Sequence, residues 1–352
     1  MVRPPPADKL VAAAVQAAPV FLDRDATVDK ATSLIAQAAA QGASLIAFPE
    51  TFVPTYPDWV WRTRPWDDGP AAWYERLLDQ SVEIPGPATD KLGEAARAAG
   101  AYLSIGVNER AGTTLYNTQL WLGPDGAVAA AHRKLMPTGA ERLVWGYGDG
   151  STLPVLDTPI GKLGGLICWE NYMPLARYAL YSQGIDIHVA PTWDNSDTWV
   201  PTMRHIAKEG RMHVIGVTFC LRGSDVPADV PGRDELYGGD EDWLARGNSC
   251  IVGPDGDLLA GPLVGEEGIV TAEIDLGRAR SARRQFDPVG HYARPDVFQL
   301  VVDRRPRPAT VFLDREPSGP DRQRPVVVGA VGGGLVVGPD CCAARVAGMT
   351  LG

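Results

Sequence analysis

Cysteine is scarce in this chain and poorly spaced for cross-linking. Only five occur among 352 residues, at positions 168, 220, 250, 341 and 342. An odd, scattered set with no Cys-x-x-Cys pair does not read as a disulfide framework or a zinc site. Histidine is equally sparse, with five copies and no His-x-x-x-His spacing; His205 and His213 stand eight residues apart. No metal and no cofactor are expected from such a set. Positive charge is in deficit too, with 33 Lys and Arg against 43 Asp and Glu, a net charge of −10 and a pI near 5.0. A nucleic-acid partner would call for a basic surface, so none is expected. No apolar run approaches the roughly 20 residues that span a bilayer, and the segment from Met1 to Pro6 carries no signal-peptide core. These absences lead us to expect a reduced, cytoplasmic protein without a membrane partner.

What is present is ample apolar material. The hydrophobic fraction is 45%, enough for a large core. Residues 10–18 read as a first strand. Asp25 reads as the cap of a helix running to about Gln41, with Val28, Ala31, Ile35 and Ala38 on one face and Gly42 as its stop. Residues 44–49 read as a buried strand, and 51–75 as a long loop carrying Tyr56, Trp59, Trp61, Trp66 and Trp73. A helix near 87–99 and a strand at 101–107 follow. Later strands are expected at 185–192 and 213–220, a helix at 201–212, and an exposed loop at 223–242.

Two turns repeat. Gly123-Pro124-Asp125-Gly126 follows one apolar run and Gly253-Pro254-Asp255-Gly256 another. Pro-Asp-Gly between apolar runs is a hairpin signal, because Pro presets one turn residue and Gly accepts positive φ at the next. Each hairpin follows a strand–helix–strand region. We therefore infer two similar halves, about 10–135 and 160–275, and an α/β class with helices covering sheets. After residue 302 the composition turns Pro/Gly/Arg-rich, which divides the chain into a folded domain at 1–302 and an irregular tail at 303–352.

Three strand-like runs end in reactive groups. Cys168 follows Leu166-Ile167, Glu50 follows Phe48-Pro49, and Lys134 follows His132-Arg133. A thiol, a carboxylate and an amine at strand ends can serve as nucleophile, general base and electrophilic stabiliser. Each residue alone has a plainer reading. Cysteine is among the most buried residue types, Glu50 would be a loop carboxylate, and Lys134 a solvated hairpin lysine.

Taken together, Phe48-Pro49-Glu50, His132-Arg133-Lys134-Leu135-Met136-Pro137-Thr138, Glu141-Arg142-Leu143-Val144-Trp145-Gly146 and Cys168-Trp169-Glu170-Asn171 resemble the nitrilase branch of the carbon–nitrogen hydrolase superfamily, over roughly residues 10–300. Gly290-His291-Tyr292-Ala293-Arg294-Pro295-Asp296 also looks like the end of bacterial nitrilases. The resemblance implies a four-layer αββα sandwich and a triad of Glu50 (general base), Lys134 (charge stabilisation) and Cys168 (nucleophile). It adds Glu141 as a further carboxylate, with an ion pair to an arginine as the alternative. A free cysteine titrates near ~8.5, and a neighbouring ammonium is expected to favour its thiolate. Trp169, Thr192, Trp193 and Tyr56 are candidate substrate contacts, with structural packing as the alternative for each. Many relatives carry a histidine before the position of Glu141; here Gly139-Ala140 precede it, which weakens inferences about substrate shape.

The implied activity is hydrolysis of an organic nitrile to acid and ammonia through a thioimidate and a thioester, with no cofactor. An amidase or a cyanide-degrading enzyme is the alternative within the superfamily. A non-catalytic assembly or binding protein is the alternative outside enzymes. The family also implies dimers and larger homo-oligomers, with Tyr178 and Tyr181 of the helix-like Pro174–Tyr181 segment as candidate contacts.

Overall fold

The computed structural model describes residues 9–311 apart from 68, 231 and 309. Period-two burial in its strands explains the layering. In β1 (Lys9–Gln16), Ala12 and Ala14 turn to one face, while Ala13 and Val15 turn to the other. In β2 (Ala43–Ala47), Leu45 and Ala47 share the first face and Ile46 the second. Side chains alternate across a strand, so a strand buried on both faces needs apolar partners on each side. One side is supplied by helix α1 (Arg24–Ala40) through Val28, Ala31 and Ile35. The other side is supplied by a second sheet.

Asp23, not Asp25, caps α1; its carboxylate accepts the Ala26 N–H at 2.9 Å. Asp25 lies in the first turn, where its charge suits the helix dipole. The segment assigned as loop from 51 to 75 contains a 3-10 turn at Asp58–Trp61 and the start of α2 (Gly69–Asp79). Pro70 sits in the first helical turn of α2, where its missing N–H is harmless. Trp59 and Trp73 are buried against each other at 5.2 Å, whereas Trp66 is exposed.

The first sheet continues after α3 (Pro87–Ala99) with β3 (Tyr102–Ala111), β4 (Thr114–Leu122) and β5 (Val128–Arg133). The second sheet begins with β6 (Val155–Thr158) and β7 (Gly161–Gly165). It runs through α4 (Pro174–Tyr181), β8 (Ile187–Thr192), α5 (Trp199–Gly210), β9 (His213–Thr218) and β10 (Cys220–Arg222). After the short α6 (Arg233–Tyr237), which lies inside the stretch expected to be loop, come β11 (Trp243–Val252) and β12 (Leu258–Val264). Both expected hairpins are present, as β4–β5 and β11–β12.

The two halves match strand for strand. β1, β2 and β3 pair in parallel, then β4 and β5 antiparallel. β7, β8 and β9 pair in parallel, then β11 and β12 antiparallel. The edge strands break the symmetry. β13 (Gly268–Asp275), which precedes α7 (Leu276–Ala282), returns to pair antiparallel with β1 of the first sheet.

Between the sheets, Ala12, Leu45 and Trp121 meet Leu163, Ile187, Val189 and Ile215. Outside the second sheet, Ala190 and Val214 pack under Leu180 of α4 and Met203 of α5. The order is therefore helix, sheet, sheet, helix, as expected. The compact unit ends at Arg305; the tail beyond 311, with Cys341 and Cys342, lies outside the described residues. Among the described residues, no helix is long and apolar enough to cross a membrane.

Gly106 of β3 lets the segment bearing Glu50 lie against the sheet. A Cβ there would stand 2.1 Å from the Thr51 nitrogen and 2.3 Å from the Pro49 oxygen, both backbone atoms. Gly106→Ala is expected to destabilise the fold by at least about 1–3 kcal/mol, read as a lower urea midpoint. An unchanged midpoint would show that the backbone yields freely there.

Candidate active site

The strand ends deliver their side chains to one point. Glu50 lies just past β2, Lys134 just past β5, and Glu141 in a 3-10 turn at Gly139–Leu143. Cys168 opens a second 3-10 turn after β7, and Thr192 ends β8. Glu50, Lys134, Glu141, Thr192 and Tyr56 are all essentially inaccessible, and Cys168 is buried.

Lys134 holds the centre. Its ammonium donates to Glu50 Oε1 at 2.8 Å and to Glu141 Oε2 at 2.7 Å. An ammonium has three N–H donors, and these two bonds use two of them. Glu50 joins the two sheets. Its Oε1 also accepts from Asn117 Nδ2 of β4 at 2.6 Å, and its Oε2 accepts the Trp193 N–H, just past β8, at 2.9 Å. Glu141 accepts from the Tyr56 hydroxyl at 2.7 Å and from the Thr138 N–H at 2.6 Å. Lys134, not Arg142, is thus its cationic partner; Arg142 donates to the Gly139 carbonyl.

Burial sets the protonation states. It pushes the Glu50 carboxyl above its usual range, with Lys134 pulling the other way. Burial would strip the proton from Lys134, but Glu50, Cys168 and Glu141 more than offset it and raise its pKa. The Cys168 thiol is pushed well above its usual value, first by burial and then by Glu50, against the pull of Lys134. The ammonium pulls the thiol toward its thiolate, as proximity implies, while burial and the carboxylates pull it the other way. Two carboxylates already answer its charge. A raised carboxyl beside a neutral thiol can take up a proton when the sulfur attacks.

Cys168 has φ +51°, a left-handed conformation uncommon for a side chain of this kind. Asn171 holds the turn. Its Nδ2 donates to the Leu166 and Cys168 carbonyls, each at 2.8 Å, and its Oδ1 faces His188 Nε2 at 2.7 Å. Arg177 donates to the Asn171 carbonyl at 2.7 Å and is itself held by Glu209. Tyr181 also donates to Glu209, at 2.8 Å, and is buried. Its hydroxyl secures this network.

A cavity of about 260 Å³ opens above the cysteine. Tyr56, Trp61, Trp169 and Trp193 form its aromatic walls, with Thr138, Glu141 and Asp194 adding polar atoms. Tyr56 and Trp193 stack at 4.6 Å with their planes 6° apart. Trp169 is half-exposed at the mouth and donates from Nε1 to Asp194 at 2.9 Å. Thr192 does not line the cavity; its side chain hydrogen-bonds Cys168.

Sequence reasoning missed Asn117, Asp194, Trp145 and the pair His132 and Glu170; Trp61, named within the Trp-rich loop, does line the cavity. Trp145 lies 5.9 Å from the Lys134 nitrogen and edge-on to Tyr56. A signal existed for Asn117: it sits beside apolar residues of β4 and pairs with Asn108 of β3, and buried amides need partners. Asp194 gave none, because only the fold brings it to the mouth.

The carbon–nitrogen hydrolase family profile matches residues 11–284. An aliphatic nitrilase of Sinorhizobium fredii is 48% identical over 306 residues, covering 86% of this chain and 98% of the relative. Nitrilase 2 of Arabidopsis thaliana is 44% identical over 318 residues, covering 86% and 91%. Among solved structures, a carbon–nitrogen hydrolase from Helicobacter pylori aligns with a TM-score of 0.64 at 21% identity, covering 83% and 97%.

The left-handed turn yields a comparison between two variants of Cys168. Cys168→Gly removes the side chain that makes φ +51° unfavourable, while Cys168→Ala keeps it. Cys168→Gly is expected to be more stable than Cys168→Ala by about 1 kcal/mol in chemical denaturation. The opposite order would mean that the turn carries no backbone strain.

Proposed function

The chain belongs to the nitrilase branch of the carbon–nitrogen hydrolase family, and from that premise we propose that it hydrolyses an organic nitrile to the carboxylic acid and ammonia. The observation that carries this reading is the Lys134 ammonium held between Glu50 and Glu141 beside a buried cysteine, beneath an aromatic-walled cavity.

Glu50 takes the Cys168 thiol proton as sulfur attacks the nitrile carbon. The nitrile nitrogen gains that proton and a neutral thioimidate forms. The remaining Lys134 N–H and the Trp169 backbone N–H stabilise the charge that develops on nitrogen. Glu50 then activates water. The tetrahedral intermediate expels ammonia and leaves a thioester. A second water, activated in the same way, releases the acid and restores the thiol. Glu141 keeps the ammonium aimed at the cavity and positions water or substrate. Tyr56, Trp169 and Trp193 hold the substrate's apolar part, and Thr192 orients the nucleophile. No step calls for a cofactor.

The buried free thiols Cys168, Cys220 and Cys250 suit a reducing cytoplasm. The chain also self-associates through α4, where Leu175 is 67% exposed and Tyr178 is half-buried. Leu175→Asp combined with Tyr178→Asp is expected to lower the mass seen by light scattering. An unchanged mass would remove α4 from the contact.

The functional test follows ammonia release and product mass over a panel of nitriles and the matching amides. Acid from nitriles is expected, with Cys168→Ala lowering turnover by at least about 10³-fold. Turnover of amides alone would make the protein an amidase, and formate or formamide from cyanide would make it a cyanide-degrading enzyme. No turnover by folded protein would favour a binding role. In the active enzyme, kcat/KM should fall on the acid side with a midpoint above the ordinary carboxylate range, because Glu50 must be unprotonated to act as base and its pKa is raised. A midpoint at or below that range would remove Glu50 from the role.

A further inference from the structure

Glu170 sits two residues past Cys168, fully buried and outside the cavity lining. Its carboxylate is shared among three donors. Oε1 accepts the Leu135 N–H at 2.6 Å, Oε2 accepts the Ile167 N–H at 2.7 Å, and Oε2 also meets His132 Nε2 at 3.1 Å. Leu135 immediately follows Lys134, and Ile167 immediately precedes Cys168. One carboxylate therefore ties together the backbone beside the ammonium, from the first sheet, and the backbone beside the thiol, from the second.

His132 completes the arrangement. Its Nδ1 lies 2.7 Å from the Thr152 carbonyl oxygen, which can only accept. Its Nε2 faces a carboxylate whose two oxygens already accept backbone N–H groups. Both ring nitrogens thus act as donors, and the ring is an imidazolium paired with Glu170 with neither side chain accessible. Protonation agrees with the geometry. Burial opposes both charges, yet each partner keeps the other ionised: Glu170 is held below its usual value and His132 above.

We propose that the His132–Glu170 pair is a positioning device, a buried ionic clamp that fixes the distance between the Lys134 ammonium and the Cys168 thiol without touching substrate. A carboxylate is required because three donors converge on two oxygens. A glutamine offers a single acceptor oxygen and turns an N–H₂ toward a donor. The proposal rests on Cys168 as the nucleophile, and its test does not depend on nitrile turnover.

That test is alkylation of Cys168 by iodoacetamide at pH 7, quantified on its own peptide by mass spectrometry, with the Cys250 peptide as an internal reference. Glu170→Gln and His132→Gln are made in the full chain and checked for a cooperative melt. Each is expected to slow Cys168 alkylation at least tenfold and leave Cys250 unchanged, because a displaced ammonium assists the thiol less. With a nitrile substrate, kcat is expected to fall at least tenfold while KM stays within threefold. Asp186→Asn, which disturbs a contact with Arg283, should lower the melting temperature without slowing Cys168. Slowed Cys168 alkylation in the variants, with a parent that turns over no nitrile, would support the clamp while removing the nitrilase reading. Alkylation and kcat within threefold of the parent in folded Glu170→Gln would overturn the clamp. So would faster alkylation of Cys168 and Cys250 together, which marks general loosening. If Glu170→Gln does not fold, His132→Gln decides by the same criteria. If neither folds, the pair is a requirement of the fold and the proposal fails.

Discussion

Burial of the Lys134 ammonium is the constraint on which the rest of this structure depends. An isolated cation taken out of water carries a penalty of several kcal/mol, so it must be answered where it stands. Glu50 and Glu141 answer it. Each carboxylate, once buried, needs donors of its own. Those come from Asn117 on β4, from the backbone beyond β8, from Tyr56 in the loop after β2, and from the backbone at Thr138. Satisfying one charge therefore draws elements of both sheets to a single point. The αββα packing is what makes that convergence possible, since the strands that end there belong to layers pressed face to face.

The thiol obeys a different logic. Burial and two carboxylates push its pKa up and outweigh one ammonium. What the fold supplies is placement. A left-handed backbone turn presents Cys168, and Asn171, Arg177 and Glu209 brace that turn from behind. Glu170 and His132 brace it from the side of Lys134. Such placement lowers a barrier only while each supporting polar group stays paired, which is why these side chains form connected networks.

Much of the fold was legible because its strands are buried on both faces and its helices on one. The run Leu45-Ile46-Ala47 and the spacing of Val28, Ala31 and Ile35 announce their partners. The repeated Pro-Asp-Gly turns announced both hairpins. The legible parts ended where local signals compete. Gly69-Pro70 reads equally as a breaker and as a helix start, and Asp23 and Asp25 are both chemically suited to cap a helix. Only packing of Trp73 and the path of the chain decided these cases. The return of β13 to the first sheet had no local signal, because pairing with β1 joins residues more than 250 positions apart.

The sequence by itself offered a candidate set: a thiol, an amine and a carboxylate, each following a strand-like run, with Glu141 added by the family resemblance. The first three follow from local order and chemical type, which need no third dimension. The tertiary structure alone decided how they meet. That Lys134 serves both glutamates, that Glu50 links the sheets, that Thr192 supports the sulfur instead of lining the cavity, and that Glu170 is shared between two strand ends all depend on distances between segments far apart in the chain. Protonation was decided there as well, because a pKa answers to burial and neighbouring charge, and neither exists until the sheets have closed on each other.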